Sequence, residues 1–323
     1  MVNMIQPTLD AIDRKILYEL DKNSRASCSQ IAKATRIKQE TARYRINYLL
    51  KAGVIQKFLT ILNTKKLGYS YYKIYLNLQK INEEKNNAIF AFLQKYPRVT
   101  WLAELEGSFD IGCILDAKNQ AELEWFIHEL YAQYGSFIMK KLISINLQAE
   151  FFSREYLVGR ERKMNSSPIY RAQQDFISLD KKDTQICLLL AENARISAVE
   201  MGRSLSLSPD AILQRMKKLI AQKIIIGHTL VLNNEALNQY HYKIIVYIAD
   251  VSSLSKLRAF VQSNNRVISL VNVFSEWDCE IDLEVQNPRE VKEFLMEMMN
   301  HIPVRDYSIF HVIKIHKFSF FPQ

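Results

Sequence analysis

Gln39, Arg43 and Asn47 recur at every fourth position of the stretch "IKQETARYRINYLLK", with Lys38, Thr41, Tyr44, Arg45 and Lys51 beside them. At that spacing the first three share one face of a helix. An arginine can make two hydrogen bonds to a guanine edge, and an asparagine or glutamine amide can make two to an adenine edge. Lysine, tyrosine and threonine side chains hold phosphates, which sets register without reading sequence. The opposite face, Ala42, Ile46, Leu49 and Leu50, is apolar and needs a core. An ordinary helix with a solvated polar face carries the same residues, so the neighbouring elements decide between the two readings.

Two helices precede this one. Residues 10–22 place Ile12, Ile16, Leu17 and Leu20 at helical spacing, and Ser27 caps a short helix carrying Ile31 and Ala32. "TRIKQ" is a tight turn. The third helix covers about 39–51 and stops at "AGVI", where Gly53 suits the C-terminal position. "IQKFLTILN" then reads as a strand pair or wing. Three short helices with a tight turn before the third form a helix-turn-helix. The N-terminal part of its third helix enters the major groove of double-stranded DNA.

The chain contains this unit twice. "LDAIDRKILYELDKNSRAS" starts at Leu9, and "LDKKDTQICLLLAENARIS" starts at Leu179. A repeat of that length is a duplicated domain, not a solenoid. In the second copy the outward stripe is Pro209, Leu213 and Lys217, with Asp210 and Gln214 alongside. Ser208 caps the helix and Pro209 suits its first turn. Asp210 repels phosphates, Leu213 can touch a thymine methyl, and Arg215, Lys217 and Lys218 can grip the backbone. The heads are therefore expected to be unequal, the first reading bases and the second holding phosphates or serving only as structure.

Between and after the heads the hydrophobic period changes. "YYKIYLNLQ", 82–95, "RVTWLAELEG", "FDIGCILDA", 119–134 and "FIMKKLISINLQ" alternate strand, helix, strand, strand, helix, strand, and the second half repeats that order. This is the ferredoxin-like arrangement, so the fold class is α+β. The expected domains are winged helix-turn-helix units at 1–62 and 177–233, ferredoxin-like units at 68–152 and 239–323, and a polar linker at 153–176.

The net charge of +9 favours polyanionic partners. Cys28, Cys113, Cys187 and Cys279 are scattered and read as reduced thiols of a cytoplasmic protein. No membrane span, signal peptide, phosphate loop or metal-ligand spacing among the six histidines is visible, so neither an enzyme nor a cofactor or metal is expected. Trp101, Trp125 and Trp277 are expected to pack in cores or at a domain interface.

The order of parts resembles the Lrp/AsnC family of transcription regulators. The residues that carry the resemblance are Thr41-Ala42 with Arg45, then Leu49 and Gly53-Val54-Ile55, and Ala211-Ile212 with Arg215 in the second copy. The stretch Gly107-Ser108-Phe109-Asp110 matches the family's Gly-x-aromatic-Asp loop; its second copy reads Ser275-Glu276-Trp277-Asp278. The resemblance implies that the ferredoxin-like domain dimerises and, in many members, binds an amino acid or similar small effector near Gly107, Phe109, Asp110 and Asp278. Read from the residues alone, Gly107 permits a hairpin turn and Asp110 caps it. The family also implies that this chain is a dimer fused into one polypeptide, an intrachain pseudo-dimer with edges that can still pair further copies. A fused pair can read an asymmetric site.

Siroheme decarboxylases share the architecture. Their His-Asn-Tyr-x-Arg and Asn-Leu-Trp-Phe stretches should fall where this chain reads "TWLAELEG" and "FDIGCI". A third reading is an effector-sensing assembly module whose heads bind nothing.

Overall fold

The computed structural model describes residues 8–162, 167–172, 175–250 and 252–322. The first head is α1 (Ala11–Lys22), α2 (Cys28–Thr35) and α3 (Gln39–Lys51). Asp10 caps α1, accepting from the Ile12 and Asp13 N–H groups at 2.8 Å each, while Asp13 reaches back to the Asp10 N–H. Ser27 and Gln30 form the same reciprocal cap on α2. Arg36, at φ 59°, makes the left-handed turn that sends the chain into α3. Strand β1 (Ile55–Leu62) follows.

The first ferredoxin-like unit is β2 (Ser70–Leu78), α4 (Glu83–Lys95), β3 (Val99–Glu106), β4 (Ile111–Ala117), α5 (Gln120–Tyr134) and β5 (Ile138–Phe151). A short strand, β6 (Ile169–Arg171), comes next. The second head is α6 (Lys181–Glu192), α7 (Ala198–Leu205), α8 (Pro209–Ala221) and strand β7 (Ile225–Leu232). The second ferredoxin-like unit is β8 (Tyr240–Ile248), α9 (Ser253–Ser263), β9 (Val267–Phe274), β10 (Cys279–Val285), α10 (Pro288–His301) and β11 (Val304–Phe318).

Each unit orders its strands in the ferredoxin manner, β5-β2-β4-β3 and β11-β8-β10-β9. The two sheets then join at both edges. The second half of β11 pairs with β3, and the second half of β5 pairs with β9, both antiparallel. Eight strands thus form a closed ring. Alternation along the strands sends Tyr71, Tyr75, Trp101 and Phe310 into the ring, and Phe109 and Trp277 join them from the loops before β4 and β10. Helices α4 and α5 cover the outer face of the first sheet through Ile89, Phe90, Leu93, Phe126 and Leu130. Helices α9 and α10 cover the second through Leu257, Val261, Phe294 and Met298.

The strand pair expected after each third helix is completed across the halves. Strand β1 pairs antiparallel with β7, Phe58 opposite Leu230 and Thr60 opposite His228. Apart from Gln56 and Lys57, β1 is buried along its length, so the pair needs cover. Leu230 and Leu232 fill the first head's core, and Leu62 fills the second head's. Each half therefore completes the other half's core.

The segment read as a linker does more than connect. Its described parts contain a 3-10 turn at Glu155–Val158 and strand β6, which extends the sheet beside β5. Residues 163–166 and 173–174 of that segment lie outside the described residues. Trp101 and Trp277 are buried as expected, but Trp125 is 66% exposed on α5, its indole N–H donating to Glu129 at 2.8 Å.

Inside the ring the halves differ in charge. Lys73 on β2 and Lys243 on β8 are equivalent positions, and both are buried. Lys73 pairs with Glu280, and Lys243 pairs with Asp282 at 2.7 Å and with Glu280 at 3.6 Å. The Tyr75 hydroxyl donates to Glu280 at 3.0 Å and the Ser269 hydroxyl to Asp282 at 2.5 Å. The first copy has no matching acids: Gly112 and Ile114 stand where the second has Glu280 and Asp282. Gly112 leaves room for Trp101, whose ring would lie 2.9 Å from any Cβ added there.

Removing one partner of a buried ion pair costs about 3–5 kcal/mol, whereas replacing both by apolar residues is often neutral. Glu280→Gln is expected to destabilise the chain by an amount of that order in urea unfolding. Lys73→Met combined with Glu280→Leu is expected to recover most of the loss.

Candidate nucleic-acid interface

Helix α3 presents Lys38, Gln39, Arg43, Tyr44 and Asn47 to solvent, Tyr44 with 71% of its surface free. Beneath them Ala42, Ile46 and Leu49 lock the helix onto α1 and α2. None of Lys38, Gln39, Arg43 and Asn47 makes an ion pair or side-chain hydrogen bond among the described residues. A rigid helix with an unengaged row of arginine and amides offers its donors to an external partner without prior reorganisation.

Arg45 is placed differently. Its guanidinium is half-buried and binds Asp10 at 2.7 Å and Asp13 at 2.8 Å, at the start of α1. The hydrogen bonds that Arg45 donates to these carboxylates raise its pKa. The Asp13 N–H and Arg45 together hold Asp10 below the usual carboxylate range. Arg215 repeats the arrangement with Asp180 at 2.6 Å and Asp183 at 2.7 Å, and Lys218 adds a contact to Asp183 at 3.4 Å. These three cations clamp the third helix to the first within each head. Thr41 is half-buried on the flank of α3.

In the second head Ser208 accepts from the Ala211 N–H at 3.2 Å and caps α8, with Pro209 in the first turn. Gln214 and Lys217 are exposed, and Leu213 keeps 45% of its surface free. Asp210 does not separate the heads, because Glu40 occupies the equivalent place and an acid in the first turn suits a helix N-terminus. The difference lies in Gln39, Arg43 and Asn47 against Pro209, Leu213 and Lys217.

The heads are held to each other by residues that sequence reasoning missed. The Arg25 guanidinium donates to the carbonyls of Ala194 and Ile196, the latter at 3.1 Å. Arg195 returns the contact to the carbonyls of Ser24 at 2.7 Å and Ala26 at 2.9 Å. With the β1–β7 ladder, this reciprocal pair fixes the separation of the two third helices. The repeated "N-x-R" of the two copies is the signal that could have pointed to it.

The Gly107–Asp110 loop joins β3 to β4. Gly107 sits at φ 131°, and an added Cβ would lie 3.3 Å from Phe310. The Leu78 N–H donates to the Asp110 carboxylate at 2.6 Å, and the Ile248 N–H donates to Asp278 at 2.7 Å. In both copies the aspartate ties the hairpin to the end of the first strand. Phe109 is buried inside the ring against Tyr75 and Phe310. No helix among the described residues is long and apolar enough to cross a membrane.

Comparison with known proteins agrees with this geometry. A winged helix-turn-helix DNA-binding family matches residues 9–56, and the AsnC-type helix-turn-helix domain matches residues 179–220. The chain is 34% identical over 119 residues to the HTH-type transcriptional regulator FL11 of Pyrococcus horikoshii, covering 37% of this chain and 78% of FL11. It is 31% identical over 120 residues to the transcriptional regulator AzlB of Bacillus subtilis, covering 37% of this chain and 76% of AzlB. Among solved structures, the siroheme decarboxylase NirDL is similar over 96% of this chain and 93% of its own, with a TM-score of 0.61 at 14% identity. At that identity the likeness is one of fold. The chain belongs to the Lrp/AsnC family of helix-turn-helix transcription regulators. The matched stretches fill most of FL11 and AzlB, so each of these relatives is less than half as long as this chain.

Two arginines two residues apart are expected to give opposite phenotypes. Arg43→Ala should weaken binding to a selected duplex by about 1–3 kcal/mol, the worth of a bidentate base contact, with an unchanged melting temperature. Arg45→Ala should lower the melting temperature. Gel-shift titration and thermal unfolding of both variants check this.

Proposed function

We propose that this chain is a transcription regulator that reads one asymmetric duplex site, with the two heads in different roles. The observation that carries the proposal is the lock between the heads. The cross-half ladder and the exchanged Arg25 and Arg195 contacts fix two third helices whose outward faces differ. A symmetric dimer presents one reading surface twice and favours a palindrome. Here Gln39, Arg43 and Asn47 face one half-site, with Lys38, Thr41 and Tyr44 at its phosphates. Ser208, Gln214 and Lys217 face the other, where Lys217 steadies the backbone and Leu213 offers only an apolar contact. Arg45, Arg215 and Lys218 act through the position of their helices. The net charge of +9 supplies long-range attraction to the duplex. The cytoplasm, where such a duplex is available, is the compartment this reading implies.

The regulator reading is preferred to the decarboxylase one. The relatives FL11 and AzlB are named as regulators, and the likeness to NirDL is one of fold. The strands that would carry the decarboxylase stretches hold neither histidine nor asparagine: β3 is "VTWLAELE" and β4 is "IGCILDA". We further propose that a small effector tunes the regulator.

Selection from a random duplex pool at two salt concentrations tests the central statement. Non-specific binding falls steeply with salt and enriches nothing. A motif surviving the higher salt with one strongly and one weakly specified half is the expected result. A perfect palindrome, or no enrichment, contradicts it.

A further inference from the structure

Between the second head and the first ferredoxin-like unit lies an open pocket of about 540 Å³. Leu67, Phe176, Leu179 and Leu188 give it an apolar wall. Phe176 keeps 64% of its surface free, although full burial of such a ring is worth about 1.5–3 kcal/mol. The charged residues on the lining are both cations, Arg98 and Lys118. Their charged groups lie 5.8 and 5.1 Å from the centre of the Tyr69 ring. Arg98 is paired with Glu122 at 3.1 Å, whereas the Lys118 ammonium meets no carboxylate among the described residues.

Under the first head the same place is filled. Leu237, Leu9, Tyr18 and Arg266 are the repeat equivalents of Leu67, Leu179, Leu188 and Arg98. Leu9, Tyr18 and Leu237 pack in one cluster with Tyr156 and Leu157 of the 3-10 turn Glu155–Val158. Leu157 is buried there, and the Arg266 guanidinium lies 5.5 Å from the centre of the Tyr156 ring while pairing with Glu290 at 3.0 Å. A turn of polypeptide thus occupies, on α1, the space that stands open on α6. That turn carries an acid, Glu155, which Arg162 meets at 2.8 Å. At the open pocket a cation stands on the lining itself, because Lys118 replaces Gln286 of the filled site.

We propose that the pocket is a docking slot for a short turn of a partner protein, which brings a carboxylate to Lys118 and a large apolar side chain to the wall of Phe176, Leu179 and Leu188. The filled site supplies the template for the occupant, a polypeptide turn with one large apolar side chain in the head's core and one ring against an arginine. The sign of the lining supplies the acid, since a carboxylate on a partner is attracted to Lys118 and finds no like charge on the wall. An apolar anchor flanked by a charged pair is the ordinary composition of a small recognition site. No residue of α7 or α8 lines the slot, so it stands apart from the reading helices. The inference goes beyond the regulator reading and does not depend on it.

The test selects a phage-displayed library of random short peptides on the full chain without DNA, then measures the enriched peptides in solution by fluorescence anisotropy. The expected consensus is an acid beside a leucine or an aromatic residue. Phe176→Ala and Lys118→Met should each weaken the best peptide by about tenfold or more, the loss typical of a central contact. Both side chains are exposed, so the melting temperature should not move. Lys118→Arg should keep the binding. Replacing the peptide's acid by alanine should cost the natural chain as much as Lys118→Met does, and the two changes together little more than either alone, as for groups in contact. The proposal is overturned if no peptide is enriched, if the consensus lacks an acid, or if Phe176→Ala and Lys118→Met leave affinity unchanged. It is overturned as well if the acid and Lys118 losses simply add, because the acid then lies elsewhere.

Discussion

The buried pair between Lys73 and Glu280 decides which halves can face each other. The two ferredoxin-like units share a fold, so backbone geometry alone would let like pair with like. Charge forbids it. A ring of two first copies would bury Lys73 twice opposite Gly112 and Ile114, with no acid for either lysine. A ring of two second copies would bury Glu280 and Asp282 twice, with one lysine and His241 in each copy to meet them. An unpaired buried charge costs several kcal/mol. Only unlike halves close the ring well, and one polypeptide delivers one of each. Trp101 and Gly112 give the same instruction in shape, because the indole fills space that the glycine leaves open.

From that pairing the rest follows. Once the ring closes, β1 and β7 lie side by side and each head receives apolar residues from the other half. Leu62 sits in one core, and Leu230 and Leu232 in the other. Arg25 and Arg195 then reach across to backbone carbonyls. The heads become a single body with a set distance between reading helices. Divergence of their outward faces is then an asymmetry of the whole molecule rather than a mixture of chains. That is the physical content of a fused dimer: the twofold scaffold remains, and the surface it carries loses its twofold.

Much of this was legible in the sequence. The helices of both heads follow from their apolar period and from caps such as Asp10, Ser27, Ser197 and Ser208, which act locally. The strand order of the ferredoxin-like units followed from alternation and repeat. Partners across long separations were not legible. Alternation in "IQKFLTIL" marks a strand but does not name its mate, and the mate lies in the other half. Arg45 reads as a DNA-binding candidate because it flanks the outward face, and its Asp10 partner lies 35 residues away. The joint repetition of Asp10, Asp13 and Arg45 as Asp180, Asp183 and Arg215 was the available clue. Lys73 reads as a surface lysine in "YYKIYL" because lysine is rarely buried; only the closed ring turns its face inward.

The central claim is that one chain sits on its site in one orientation, with the first head at one end and the second at the other. Site-directed cleavage tests this most directly. An iron chelate is attached at Lys51→Cys or at Ala221→Cys, both exposed positions at the far ends of the reading helices, in a chain with Cys28→Ser. Bound to the selected duplex, each chelate is expected to cut at one end only, and the two at opposite ends. If either chelate cuts both ends equally, the heads are interchangeable on DNA and the account is wrong.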